Sequence, residues 1–470
     1  MIDNSSDGDE IWVAAGTYRP ENRLLSSSDV AFILKKNVKI YGGFAGNETT
    51  LIQRNVINNP TILDGYYPAL IFNGQVILPA VNAHHVVISV GDVGDACLNG
   101  FTIQRGRANG SGSITVNGYN VTRGEGGGIY LANNSFPELK YLTVINNESI
   151  GNGGGIYINN TASNSLKITN VIVRNNNSIG NSSGGGIYCK TPISVLTNVE
   201  VSNNFAFNNG GGIYFNSDFI LTNVTIAGND AMYGGGIYRV GNSYSIRNSI
   251  ITGNTAIDIT NPDAYNIINN NCYYSLVGGV TSSTVNFNHD ENADPKFVDK
   301  NNGNYRLQWS SPCIQMGSMS YWGYTINSPV LVTPDAVDLD GNFRFFCYPI
   351  QPGIYFNLID MGAYQYESLP PVFSPPIQKN TDNRRAINDQ FLKESELELS
   401  IFPNPANDRI TILSEDIAVQ KVELYNLQGQ LIKNVQLNDN TMDISSLSAG
   451  MYSLRIITEK GVAVKNIVKQ

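Results

Sequence analysis

The chain has 470 residues, 41% of them hydrophobic and only 15% charged, with 46 Gly, a balance that suits a long core broken by many tight turns better than a disordered chain. A formal net charge of −9 argues against a nucleic-acid partner, which would call for a basic stripe. No apolar run reaches the length of a helical membrane span, so no transmembrane segment is expected and the chain reads as soluble or surface-attached.

Met1 is followed by I-D-N-S-S-D-G-D-E, without the basic start and apolar stretch of a signal peptide. Residues 11–18 read at once as a buried strand and turn. The chain thus begins almost inside its first structural unit, and the native start is expected upstream. Further strands are predicted at Val30–Leu34, Val38–Phe44, Thr61–Gly65, Ala69–Phe72, His85–Val90 and Gly100–Ile103. Around this early part lie His84, His85, Asp92, Asp95, Arg105 and Arg107. They are candidates for one convergent polar site, weighed against a turn made by the two histidines with the other four solvated.

The pentapeptide GGGIY then occurs five times, at Gly126–Tyr130, Gly153–Tyr157, Gly184–Tyr188, Gly210–Tyr214 and Gly234–Tyr238. Its spacing of 24 to 31 residues is that of a solenoid or array. Downstream of it, Leu166–Val173, Val195–Val201, Ile220–Ile226 and Tyr244–Ile251 alternate apolar and polar positions about Asn170, Asn198, Asn223 and Asn248, which is strand periodicity. The turns that follow carry Asn175, Asn203, Asn229 and Asn254, taken together as one column. Asparagine accepts left-handed backbone angles, and its amide can bond the same amide one layer away. The glycine triplet fits another corner, where φ is positive or backbones approach closely. The fold expected is all-β, a right-handed parallel β-helix with layers about 4.8 Å apart.

In Ile-Tyr-X the isoleucine and residue X face the core, which assigns Leu131, Ile158, Cys189 and Phe215 inward. Tyr130, Tyr157, Tyr188, Tyr214 and Tyr238 then form an outward column. Such a column either stabilises the sheet by stacking or offers a platform for sugar rings.

The succession D-E-I-W-V-A-A-G-T-Y-R-P (9–20), V-K-I-Y-G-G-F-A-G-N-E-T (38–49), N-P-T-I-L-D-G (59–65), H-H-V-V (84–87) and L-N-G-F-T-I (98–103), followed by GGGIY, resembles the pectate-lyase-like β-helix proteins that Bacteroidetes secrete. The resemblance covers most of residues 9–260. Residues 260–367 break the period. Their segments Asp294–Val298, Gly303–Leu307, Ser311–Ile314, Asp338–Arg344 and Ile359–Glu367 resemble the choice-of-anchor Q domain, which implies irregular last coils of the helix, so that residues 1–367 form one domain. Gln315 stands where that family carries an acid. Asp338, Asp340 and Asn342 open like a calcium loop, but the glycine and glutamate positions of an EF-hand fall on Phe343 and Pro349. A structural turn is expected there, with no metal or other cofactor. Of five cysteines, Cys272 and Cys313 are the pair considered for a disulfide.

Residues 368–396 turn proline-rich and polar and read as a linker. Residues 397–470 then show seven short alternating segments, Leu399–Phe402, Arg409–Leu413, Lys421–Tyr425, Gln430–Lys433, Thr441–Ile444, Met451–Ile457 and Val462–Val468, the pattern of a small β-sandwich. Pro403, Asn404, Pro405, Leu424, Tyr425, Asn426, Gly429, Asp443, Ile444, Ser445, Leu447, Gly450, Met451, Tyr452 and the closing Lys465 to Lys469 closely resemble the type A sorting domain of the type IX secretion system. That resemblance implies the type IX machinery as a partner and export across the outer membrane. It also implies removal of the domain and anchoring to surface lipopolysaccharide.

Between residues 126 and 255 the acids are Glu138, Glu148, Glu200, Asp218 and Asp230, and they share no repeat position. The outward neighbours of Glu200 in adjacent coils are Ile172, Thr225 and Ile250. A glycoside hydrolase needs two convergent carboxylates, and a calcium-dependent lyase needs clustered acids beside an Arg or Lys base. The expected function is therefore a secreted or outer-membrane-surface β-helix that binds a glycan or another surface ligand without catalysis. Its rivals are a polysaccharide lyase or hydrolase with a site in the irregular coils, and a structural adhesin.

Overall fold

A computed structural model describes residues 2–20, 28–73, 75–258, 263–265, 271–278, 294–314, 316–318, 337–342, 344, 346–351, 354–366, 399–402, 406–414, 419–425, 431–435, 441–448, 450–458 and 461–469. The chain divides into two compact units, Met1–Ser368 and Leu369–Gln470. Among the described residues no helix is long and apolar enough to cross a membrane.

The first unit is a parallel β-solenoid of about nine turns. Each regular coil contributes to a 14-stranded, an 8-stranded and a 6-stranded sheet. The same residue types stack from layer to layer. Ile129, Ile156, Ile187, Ile213 and Ile237 are successive partners in one sheet, and Val144, Val173, Val201, Ile226 and Ile251 are successive partners in another. All ten are buried in one continuous core with Leu131, Ile158, Cys189 and Phe215, as the Ile-Tyr-X alternation requires. Burying each such aliphatic side chain contributes about 1.5–3 kcal/mol, and each coil does so only through its neighbours.

Two corners follow from left-handed residues. Asn170, Asn198, Asn223 and Asn248 have φ of 55°, 53°, 54° and 49° and bend the long strand at its middle. At the next corner the left-handed place is held by Asn146, Asn175, Asn203, Gly228 and Gly253. This divides the expected column of Asn175, Asn203, Asn229 and Asn254. Once Gly228 and Gly253 take the strained position, Asn229 and Asn254 fall one place later, in register with Asn147, Asn176 and Asn204.

Those five residues build a buried amide ladder. The Asn147 Nδ2 and backbone N–H both donate to Asn176 Oδ1, at 3.0 and 3.1 Å, and the pattern repeats through Asn204, Asn229 and Asn254. It starts with the Gly106 N–H on Asn147 Oδ1 at 2.9 Å and ends with Asn254 donating twice to Asp263 Oδ1 at 2.8 Å. A carboxylate suits the last rung, where only acceptance is needed.

The three glycines of GGGIY are needed for different reasons. In the coil of Gly184 the first has φ of 69°. A Cβ on Gly185 would lie 2.2 Å from the Phe205 carbonyl oxygen, and one on Gly186 would lie 2.6 Å from the Gly212 carbonyl oxygen and 2.9 Å from the Asn204 amide. The triplet lets coils approach each other and the ladder at once.

The region expected to form irregular terminal coils does two things. Ala264–Tyr265, Cys272–Tyr273 and Leu276–Val277 extend the sheets by one more coil. On the flank of the preceding coils, Phe297, Tyr305, Leu307, Cys313, Met361, Ala363 and Tyr364 instead form a core with Ala227, Ile250 and Leu276. The Asn198 and Asn223 amides reach across to the Val337 and Asp360 carbonyls at 2.6 and 2.8 Å. The disulfide considered between Cys272 and Cys313 is not formed, and both thiols are free. Cys272 packs against the solenoid core and Cys313 belongs to the flanking one.

Among its described residues the second unit has seven strands, all paired antiparallel in sheets of three and four strands. Ile410, Ile412 and Met442 from one sheet meet Val422, Leu424, Leu454, Ile456 and Ile467 from the other in a single core, as in a small sandwich.

Candidate functional site

The tyrosine column exists. Ring centroids of Tyr130, Tyr157, Tyr188, Tyr214 and Tyr238 are separated in turn by 5.0, 5.3, 5.0 and 5.6 Å, with the last three pairs within 12° of parallel. This geometry limits ring-face stacking in two ways. A sugar stacks on an open ring face, but here each face is taken by the next ring, so the column turns only its edges outward. Tyr130 and Tyr157 are moreover only 4% and 5% exposed. They share an apolar cluster with Val116 and Val121 of an antiparallel hairpin, Ser113–Val116 with Tyr119–Thr122. Sequence reasoning missed this hairpin, although Asn117-Gly118, both at positive φ, is a two-residue turn signature between alternating flanks.

Beyond the hairpin, Tyr188, Tyr214 and Tyr238 are half-buried, beside the exposed Lys190 and Asn216 and the half-buried Asn159. The Asn159 amide donates to the Tyr157 hydroxyl at 3.1 Å. Burial pushes the Tyr188 phenol up to about 12 and raises Tyr157 and Tyr214, so these hydroxyls hold their protons at neutral pH. What the strip offers a ligand is a row of hydroxyl, amide and ammonium groups at one-layer spacing.

The six polar residues of the early coil do not converge. Lys36 binds Asp92, and the Asp95 N–H donates to the Asn37 side chain at 2.8 Å. Arg105 pairs with the fully buried Asp64 (Nε to Oδ1 2.9 Å), while Arg107 reaches Glu148 at 2.7 Å. His84 Nε2 lies 3.8 Å from Asp29, which Arg123 grips with two nitrogens at 2.7 and 2.8 Å; that hydrogen bonding holds the Asp29 carboxyl below the usual range. His85 is enclosed against Tyr130, with Nδ1 2.9 Å from the Gly126 carbonyl, and burial lowers its pKa to about 4.

Glu200 keeps the outward register expected beside Ile172, Thr225 and Ile250. It is nonetheless fully buried, because the flanking segment covers it. Arg174 Nε donates to it at 2.9 Å, Ser202 and the Tyr364 hydroxyl bond it as well, and Tyr305 reaches Asn203 at 2.7 Å. This cluster fastens the flank to the coils. Nothing periodic in the sequence marks it.

The Asp338 turn is closed by its own backbone. Asp338 Oδ1 accepts the N–H groups of Asp340 and Asn342 at 2.9 and 2.8 Å, and its Oδ2 accepts that of Gln365 at 2.7 Å. Arg306 holds the Asp340 carboxylate at 2.6 Å through Nε. Burial pulls the enclosed Arg344 guanidinium down to about 10, against the attraction of Asp338 and Asp360. Gln315 lies outside the described residues.

In the second unit, Gly450 opens the strand Gly450–Thr458 and Lys465 lies in its partner Gly461–Lys469. The Tyr452 hydroxyl donates to the Ser448 carbonyl at 2.8 Å, and Asp443 accepts the Ser445 N–H at 2.9 Å in a tight turn. Pro403, Asn404, Pro405 and Gly429 lie outside the described residues. No curated protein matches the chain. Residues 400–470 match the family described as the secretion system C-terminal sorting domain, so the chain carries a type IX secretion sorting domain behind a β-solenoid and is marked for the cell surface or the medium.

Proposed function

We propose that the solenoid acts outside the cell as a non-catalytic module that binds a surface glycan. The observation that carries this reading is the half-buried strip of Tyr188, Tyr214 and Tyr238 edges beside Lys190 and Asn216, which repeats hydrogen-bonding groups at the layer spacing and so suits a linear polymer. Binding would rest on hydroxyl and amide contacts along ring edges rather than on ring-face stacking. The acids offer little support for catalysis, since Asp29, Asp64, Asp92, Glu148, Glu200 and Asp340 are each held by a cation.

The test is retention of the full chain on immobilised acidic and neutral polysaccharides, with reducing and unsaturated ends recorded alongside. Tyr188→Phe with Tyr214→Phe keeps the stack and removes two hydroxyls, and it is expected to weaken retention without changing the melt. Unchanged retention by this double variant rejects the strip as the site. New ends released from any polysaccharide would favour the lyase or hydrolase reading instead.

A further inference from the structure

From Tyr66 to Ala83 the chain contains no charged residue. This stretch leaves the solenoid as one long antiparallel excursion, Tyr66–Tyr67 pairing with Val81–Asn82 and Leu70–Phe72 with Gln75–Leu78, turned at Asn73 with φ of 50°. Leu70 and Ile71 are consecutive strand residues and so point to opposite faces. They are 52% and 60% exposed; Val76, which pairs with Ile71, and Ile77, the extra residue where the register shifts, are 61% and 53% exposed. Soluble proteins guard projecting strands with charge, twist or cover, and no charge guards this one.

Behind the apolar tip sits a collar. Arg19 Nε donates to the Tyr66 carbonyl at 2.8 Å, and the Arg105 guanidinium lies over the Tyr66 ring, 4.9 Å from its centroid. The two arginine side chains stay 37% and 41% exposed, whereas the Asp64 they share is fully buried, so the collar turns two cations toward solvent and hides its one carboxylate. An apolar tip followed by tyrosine and arginine is the layering that a bilayer boundary selects, with acyl chains taking the tip and anionic headgroups the collar.

We propose that this hairpin is a lipid-docking finger that seats the solenoid on an anionic bilayer surface. A flat protein surface would cover only one face of the finger, while the acyl boundary encloses both. A strand of four residues rises about 13 Å, comparable to the 5–10 Å to which interfacial segments sink. The exposed polar Asn73 and Gln75 at the turn limit how deep the tip sinks, so the finger stays in the boundary and does not span it. This inference is independent of the glycan reading, and its assay contains no polysaccharide.

The assay is flotation of the full chain with vesicles of phosphatidylglycerol and phosphatidylethanolamine, beside vesicles of phosphatidylcholine alone. The chain is expected to float with the anionic vesicles. The triple variant Ile71→Ser, Val76→Ser, Ile77→Ser is expected to lose at least about tenfold in partitioning with an unchanged thermal melt, because the three side chains are already in water. Arg19→Gln should reduce the preference for anionic over zwitterionic vesicles. A chain that floats with neither vesicle, or a triple variant that floats as well as the parent, overturns the proposal. So does lipid-free self-association that the triple variant abolishes when flotation is absent, which would assign the finger to a second copy. If the triple variant melts early, Val76→Trp with bromine-labelled acyl chains decides: its added emission is quenched if the finger docks and unquenched if it does not.

Discussion

Replacing Asn204 by alanine is expected to destabilise the middle coils by about 3 kcal/mol, most of it from the partner left behind. The Asn204 Oδ1 accepts the Asn176 backbone N–H and amide at 2.9 and 3.0 Å, and its Nδ2 donates to the Val173 carbonyl and Asn229 Oδ1 at 3.0 and 2.9 Å. Two of these losses are cushioned. The Asn176 amide keeps the Val144 and Arg174 carbonyls, and Asn229 Oδ1 keeps the backbone N–H of residue 204. The Val173 carbonyl keeps its place in the parallel ladder, where Val173 pairs with Val201, so it loses one bond of two, and the Asn176 N–H is the group left without a partner. At about 1–3 kcal/mol for an orphaned buried group and about 0.5–1.5 kcal/mol for the second lost bond the cost is about 1.5–4.5 kcal/mol, against a typical domain stability of about 5–15 kcal/mol. Urea unfolding with hydrogen exchange resolved over residues 170–235 should show early opening there, because each coil is held only by its neighbours. The control is Asn216→Ala, an exposed amide expected to change stability by no more than about 0.5 kcal/mol. If Asn204→Ala falls within that range of the control, the ladder is not a source of stability.

Ile156→Asp or Ile187→Asp should unfold the adjoining coils, since either puts an unpaired charge among fully enclosed side chains; a circular dichroism melt like that of the parent would refute this. Gly185→Ala should likewise push neighbouring coils away from each other, its Cβ meeting a carbonyl oxygen at 2.2 Å, and unaltered exchange protection near Phe205 would count against it. His85 is buried neutral with its pKa lowered from 6.5 to about 4, so the unfolded chain binds the extra proton first as pH falls. The stabilisation is complete above pH 6.5 and declines towards pH 4, by about 3 kcal/mol in total; melts of His85→Phe should lose that share of the acid sensitivity, and parallel pH curves for the two proteins would refute the assignment. Placed behind a periplasmic export signal, the full chain should reach the surface or the medium while a version ending at Tyr366 stays in the periplasm; fractionation finding both outside in equal amount would remove the sorting role.

Much of the solenoid was legible in the sequence because its determinants recur: GGGIY sets the close corner, Asn170 and its counterparts set the bend, and alternation sets the core. The turn asparagines were misaligned because Gly228 and Gly253 do the same left-handed work as Asn146 and Asn175 without sharing their side chain. The exposure of the tyrosines was not legible. It depends on Ser113–Thr122, which lies outside the repeat, and on ring orientation, which alternation alone does not specify. Glu200 shows the same limit, since its outward register was correct and its burial came from Tyr364, 164 residues away.

The amide ladder has a direction, and that direction bears on how such an array changes length. Every rung from Asn147 to Asn254 accepts from the coil before it and donates to the coil after it. A coil copied or deleted by recombination inside this interval therefore rejoins rung to rung, altering the reach of the molecule by about 4.8 Å each time. Asp263, at the corner that opens the following coil, has no amide to pass onward, so the ladder can end only there. Chains descended from the same ancestor are accordingly expected to vary in the number of GGGIY coils and to agree in the two that close the series.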